Sequence, residues 1–320
     1  MTSRARYVLV RVGGLVATLL VTSFLVFSSI YLAPGDPIDF LIRGRAPSAD
    51  TIAAIKAQYH LDEPFLQQYL HWLGGVLHGD FGRSFVYRQD VSQVITDRLP
   101  TTLILIAYAA VIILVWGLLL GIVGALRAGR PSDKVSLVLT TVLAAIPTFV
   151  AAILLISVLA VRLGLFPTYG SGDGGLPDTL YHLTLPAIAL SLTFIALLSR
   201  VTRSAMLEEL GREHVEVATS RGVSRGAVVR RHVLRNALGP ITTITGLLIA
   251  GLLVSTSVIE SAFGISGIGS LLVKSVDKMD FPIVQAITLI VVATFVVVNL
   301  VVDMLQPWID PRISAGTATR

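Results

Sequence analysis

Long apolar runs alternate with short polar intervals along this chain, and the lengths of the runs set the first reading. Six of them lie at about 7–32, 100–126, 135–161, 183–199, 237–262 and 282–305. Most reach or exceed the ~20 residues that a helix needs to cross a bilayer's hydrocarbon core. They predict an all-α polytopic membrane protein with six transmembrane helices. The first run follows Arg4, Arg6 and Arg11 and so has the polarity of a signal peptide. It is longer than the about 7–15 apolar residues of a signal core, which predicts an uncleaved anchor. In the second run Gly117 and Gly121 have GxxxG spacing, which permits close helix approach. Pro147 stands midway in the third and predicts a kink. The fourth run is short, and its helix is expected to continue through Arg200, Arg203 and Glu208.

The polar intervals differ in character. Residues 33–99 form the longest, dividing the chain into an N-terminal span (1–32), an external helical region (33–99) and a core of five further spans (100–320). This region opens on APGDP at 33–37, where two prolines and a glycine stop the helix. Ser48 or Asp50 can cap a helix through Tyr59. Asp62, Glu63 and Pro64 start another, in which Phe65, Tyr69, Trp72, Leu73 and Val76 recur at three- and four-residue spacing. LHGDFGRS at 77–84 predicts a glycine-broken loop, and 90–98 a short interfacial helix. The loops at 164–182 and 263–281 are expected on the same face as 33–99.

The interval at 200–239 is the long charged one. Its sequence from 213, EHVEVATSRGVSRGAVVRRHVLRN, runs from acids (Glu213, Glu216) through Gly222 to a cluster of arginines (Arg221, Arg225, Arg230, Arg231, Arg235). Two short helices joined at a glycine fit this order. The acids suit the positive end of the first helix, Gly222 is free to take φ > 0 at its C-terminus, and Ser224 can N-cap the second. This hairpin is expected to dock on a soluble partner.

Composition supports the membrane reading. Only 14% of the 320 residues are charged, against about 25% in soluble domains. The excess of positive charge could suggest nucleic acid, but the arginines lie beside apolar spans, which topology explains better. Of the 25 lysines and arginines, 16 fall in the N-terminus, the 127–134 turn, the 200–235 segment and the C-terminus. By the positive-inside tendency both termini and the hairpin are cytoplasmic. There is no cysteine, which excludes disulfides, thiolate catalysis and thiolate metal sites. The six histidines form no HxxxH or HExxH pair, so no metal site is expected.

Catalytic motifs fail on inspection. Gly264, Ser266 and Gly267 spell GxSG, but no histidine follows to act as base. GALRAGR at 124–130 starts like a phosphate loop and lacks the Lys-Ser/Thr that would contact phosphate and Mg²⁺. Glu260, Asn299 and Asp303 sit near helix ends, where water is expected to reach them, which argues against a midplane proton relay. Pro147, Ser255, Thr256, Glu260, Thr288 and Asn299 are the candidates for a mildly polar translocation path, with Ser257 and Thr294 nearby; helix–helix hydrogen bonding is the competing role.

Several segments together resemble a known family. They are APGDP at 33–37, YHLDEPFLQQYLHWL at 59–73, GDFGRS at 79–84, RLPTTL at 98–103, IPTF at 146–149, LTLPAIAL at 183–190, SRVTRSAMLEEL at 199–210, ESAFGISGIG at 260–269 and DPR at 310–312. The chain resembles the permease subunits of dipeptide/oligopeptide ABC importers, a family that includes nickel permeases. The resemblance implies the type I ABC importer transmembrane-domain fold, with a helical external region between the first two spans. The hairpin is similar to the family's EAA loop: Glu216, Ala218 and Gly222 fall at its spacing, and His232, Asn236 and Pro240 match its tail. Val217 departs from the middle alanine. By this resemblance Glu213, Glu216, Ala218, Arg221 and Gly222 belong to a coupling helix seated on an ATPase. The implied partners are a second homologous permease, two ATPase subunits that carry ATP and Mg²⁺, and an external solute-binding protein. Asp36, Trp72, Asp80, Phe81 and Arg83 are candidates for contact with that binding protein. No cofactor is expected on this chain. The implied cargo is a di- or oligopeptide, with nickel, haem or another small solute as alternatives; an ion-coupled secondary transporter is the rival from a different class.

Overall fold

The computed structural model describes residues 3–32 and 62–309. Expectations that fall on 33–61, among them the APGDP turn, Asp36 and the helix through Tyr59, lie outside the described residues, as do DPR at 310–312 and the side chain of Asp303.

The helices are α1 (Ser3–Leu32), α2 (Phe65–Leu77), α3 (Val91–Thr96), α4 (Leu99–Leu126), α5 (Pro131–Ala145) and α6 (Thr148–Leu155), which continues as a π-helical turn, Ile156–Arg162. Then follow α7 (Leu176–Leu210), α8 (Glu213–Ser220) and α9 (Arg225–Val228), the last joined through a π-helical segment, Val229–Leu234, to α10 (Arg235–Ala262). Two more, α11 (Ile268–Asp277) and α12 (Phe281–Ile309), complete the order. Among the described residues five stretches are long and apolar enough to cross a membrane: in α1, in α3–α4, in α7, in α9–α10 and in α12. The sixth is α5 with α6, counted as one broken span.

That broken span corrects the kink expected at Pro147. The two halves meet at 99°. Ile146 (ψ 116°) and Pro147 (ψ 142°) are both extended, so helical hydrogen bonding stops and restarts. The residue before a proline is disfavoured in the α region, and here the proline begins a new helix rather than bending an old one.

α7 is the hub. The most apolar part of α7 is 61% buried, against 6% for α1, and it touches α4, α5, α6 and α10. Its contact with α4 depends on small residues. A Cβ on Gly121 would stand 2.6 Å from the Thr202 side chain and 2.7 Å from the Ser199 carbonyl oxygen, and one on Gly117 would stand 2.8 Å from Leu198. The GxxxG spacing therefore marks a real close approach, where van der Waals packing replaces the hydrophobic drive that lipid removes. At the end of this interface Arg203 makes a bidentate pair with Asp133, both bonds 2.8 Å. Asp133 also accepts from the Gly129 amide, 3.0 Å, which ties the α4–α5 turn to α7.

A smaller second core joins Val91 and Val94 of α3, Ile268 and Leu271 of α11, and Ile283 and Ile287 of α12. The segment 263–281, expected as a polar loop, thus holds a helix whose apolar face is buried. α2 lies on α1 through its aromatic stripe. The Tyr69 hydroxyl is 2.8 Å from the Ser23 hydroxyl, and the Phe27 ring lies 5.6 Å from Tyr69 and 5.5 Å from Trp72.

Candidate functional site: a projecting arm and the helix that carries it

Residues 211–234 form an arm between α7 and α10. α8 begins with Glu213 and Glu216 in its first turn, where the macrodipole favours acids. Val215 and Ala218 turn inward and are buried, while Glu213, Glu216, Val217, Ser220 and Arg221 are exposed. Val217 is 47% exposed, an aliphatic side chain one turn from Glu213 on one side and from Arg221 on the other. The helix ends in a Schellman motif: the Gly222 amide bonds to the Thr219 carbonyl (3.0 Å) and the Val223 amide to the Ala218 carbonyl (3.2 Å). Gly222 has φ +78°, as its place in the sequence predicts. Ser224 does stand at the start of α9, but its side chain makes no capping hydrogen bond. Nor is the second helix of the hairpin separate, since α9 passes through the π-helical segment directly into α10.

The base of the arm is held by groups that the sequence reading did not assemble. Glu209, on the last turn of α7, is buried and accepts from Arg212 at 3.0 Å. His214 Nε2 lies 3.6 Å from Glu209 Oε2 and 3.2 Å from the Asn236 amide nitrogen. Asn236 also donates to the His232 carbonyl, 2.8 Å. His232 and Asn236, grouped in sequence with the exposed tip, therefore fasten the two limbs of the arm together. Arg212 donates at 2.8 Å to Glu208 as well, and the two carboxylates hold its pKa above the usual arginine value. Pro240 lies inside α10, a turn above Asn236.

At the other end of α10, Glu260 is fully buried, which corrects the expectation that water reaches it. Its Oε1 accepts from the Thr102 hydroxyl (2.6 Å) and its Oε2 from the Ser270 amide (2.8 Å). The reason is α11, which folds back over the end of α10. Glycines make this possible: a Cβ at Gly267 would collide with the Glu260 carboxylate, and one at Gly269 would stand 2.6 Å from the Ser257 backbone.

The other path candidates are not gathered around one cavity. Pro147 marks the break between α5 and α6. Thr256 is buried and donates to the Leu253 carbonyl, and Ser255 donates to that of Gly251. Thr288 is half-buried on α12. Asn299 lines a cavity of about 390 Å³ between α1 and α12, with Arg11 and Thr18. In the 62–98 segment, Trp72 packs on Phe27, Phe81 joins the second core, Asp80 accepts from the Gly82 amide (2.8 Å) and Arg83 donates to the Arg88 carbonyl (2.9 Å).

A polytopic helical bundle interrupted by such an arm is the transmembrane-domain fold of type I ABC importers. A crystal structure of an amino acid ABC transporter with histidines shares it: TM-score 0.52 and 18% identity, covering 67% of this chain and 94% of that one. Residues 117–315 match the family described as "Binding-protein-dependent transport system inner membrane component", and residues 4–106 match the corresponding N-terminal component. The chain belongs to that family. It is similar to the glutathione transport system permease protein GsiC of Salmonella choleraesuis (strain SC-B67), with 38% identity over 96% of this chain and 98% of that one. The protein of the same name from Escherichia coli (strain K12) is 36% identical over the same shares. The chain is thus a multi-pass membrane permease subunit of an ABC importer.

Proposed function

We propose that this permease forms half of a translocation pathway for di- and oligopeptides in the cytoplasmic membrane, with its arm and both termini cytoplasmic. An external binding protein delivers the cargo, and two ATPase subunits carrying ATP and Mg²⁺ drive its passage. A second homologous permease completes the pathway. The observation that carries this reading is the arm: α8 buries Val215 and Ala218 toward the bundle and turns Glu213, Glu216, Val217 and Arg221 outward. An aliphatic contact ringed by charges suits specific docking on another protein. Because α9 runs unbroken into α10, a push on the arm moves a whole span as a rigid body. The glutathione named in the relatives is itself a tripeptide, which supports a short-peptide cargo.

The test is uptake in proteoliposomes. With the second permease, the ATPases and the binding protein present, labelled di- and tripeptides, glutathione among them, accumulate only when ATP is supplied. Accumulation of nickel or haem but of no peptide would move the substrate assignment. Uptake by this chain without ATPases, driven by an ion gradient, would establish the ion-coupled carrier instead.

A further inference from the structure

Two carboxylates are fully buried in hydrogen bonds to other segments of the chain, Glu260, a sequence candidate for the path, among them. Each fastens the N-terminal module, residues 4–106, to the transport module, residues 117–315. Glu260 is the first. Its main-chain carbonyl accepts from the Ile265 amide (2.8 Å), closing the turn after α10, while its side chain holds Thr102 of α4 and Ser270 of α11. The Thr102 hydroxyl in turn accepts from the Ile268 amide at 2.9 Å. One side chain thus pins α11 to both α10 and α4. Asp280, the residue before α12, is the second and is also fully buried. It accepts from the Ser84 hydroxyl at 2.5 Å and from the Phe85 and Val86 amides at 3.1 and 3.2 Å. Between the two acids lies the second hydrophobic core, formed by α3, α11 and α12.

Both sit at the end of the bundle away from the arm. The helix from Arg225 to Ala262 has 38 residues, roughly 55 Å at about 1.5 Å per residue, with the arm at its start and Glu260 two residues from its finish. We propose that Glu260, with Asp280, is a positioning residue for transport. Glu260 clasps α4, through Thr102, and α11 to the far end of α10, and Asp280 clasps residues 84–86 to the start of α12, so that a displacement applied at the arm is passed through α11 and the second core to the 62–98 segment. The proposal rests on the ATP-driven reading above. It adds that this chain's own far-side surface is mechanically slaved to the arm. Burying a carboxylate requires several fixed donors in compensation, and here those donors come from the two modules that must move together.

The test uses the full complex in proteoliposomes, with E260A, E260Q, T102V and D280N in this chain. A second measurement is the spin-label distance between Leu77→Cys on α2 and Val276→Cys on α11, both exposed positions. E260A is expected to assemble with both ATPases and to keep basal ATP hydrolysis within about two-fold, while uptake falls at least ten-fold. E260Q, which keeps one acceptor oxygen, is expected to recover a substantial part of that loss. The label distance is expected to be single and narrow in the parent and broad in both E260A and D280N. T102V removes the same link with little change of volume, so it gives the answer if E260A does not fold. Normal uptake in the assembled E260A and T102V complexes, or a narrow distance distribution alongside lost uptake, overturns the proposal. If the parent complex itself shows no ATP-dependent uptake, the functional reading fails, while the label distance still decides whether the clasp exists.

Discussion

Single residues decide the tightest contacts in this bundle, and the sequence shows some of them better than others. Gly121 illustrates one that could be read. The GxxxG spacing pointed to close approach, and the Ser199 carbonyl, 2.7 Å from where a Cβ would stand, shows why no larger side chain fits. Gly121→Leu is expected to destabilise the α4–α7 pair by about 1–3 kcal/mol or more, the cost of overpacking against backbone that cannot yield. In detergent this appears as a lower unfolding midpoint, and an unchanged midpoint would contradict the packing described. Glu260 illustrates the opposite case. Its nearness to a helix end suggested hydration, because spacing along one helix says nothing about a later segment that folds over it. The signal that could have corrected this is GISGIG, whose glycines let α11 come against α10. His214 and Glu209 were equally hidden, since their meeting depends on α8 reversing onto α7.

At the scale of elements, strong patterns survived and boundaries between motifs did not. Span ends matched closely: α4 ends at Leu126 and α10 at Ala262, as the apolar runs end. The run at 135–161 predicts one kinked helix because it is continuously apolar. Hydropathy cannot distinguish a kink from a right-angled break, but Ile146-Pro147 carries a local hint, since an extended residue is favoured before proline. The arm is where a single backbone angle controls an element. Gly222 at φ +78° closes α8, and proline, fixed near −65°, cannot adopt that angle. Gly222→Pro is therefore expected to leave membrane insertion intact, disorganise the turn between α8 and α9, and lower ATP-driven uptake at least ten-fold while ATP hydrolysis continues. Parallel assays of hydrolysis and uptake on one preparation check this, and unchanged uptake contradicts it.

On the proposed function the whole molecule works as a lever with a long shaft. The arm lies at one end of α9–α10; at the other, Glu260 holds α4 and α11, and Asp280 holds residues 84–86 to the start of α12. The hub helix α7 supplies the packed surface against which the shaft can move. Family membership accounts for the architecture, and the arm's exposed face accounts for how force can enter it. The central claim is that this face sits on a nucleotide-driven partner, and a cross-link measures it most directly. The parent sequence has no cysteine, so Val217→Cys gives this chain its only thiol, on the exposed face of α8. Co-expressed with the ATPase subunits in membranes and treated with a short thiol-reactive cross-linker, it is expected to give one dominant adduct with an ATPase chain, while Val276→Cys on α11 gives none. Adducts at Val276 and none at Val217 would contradict the account.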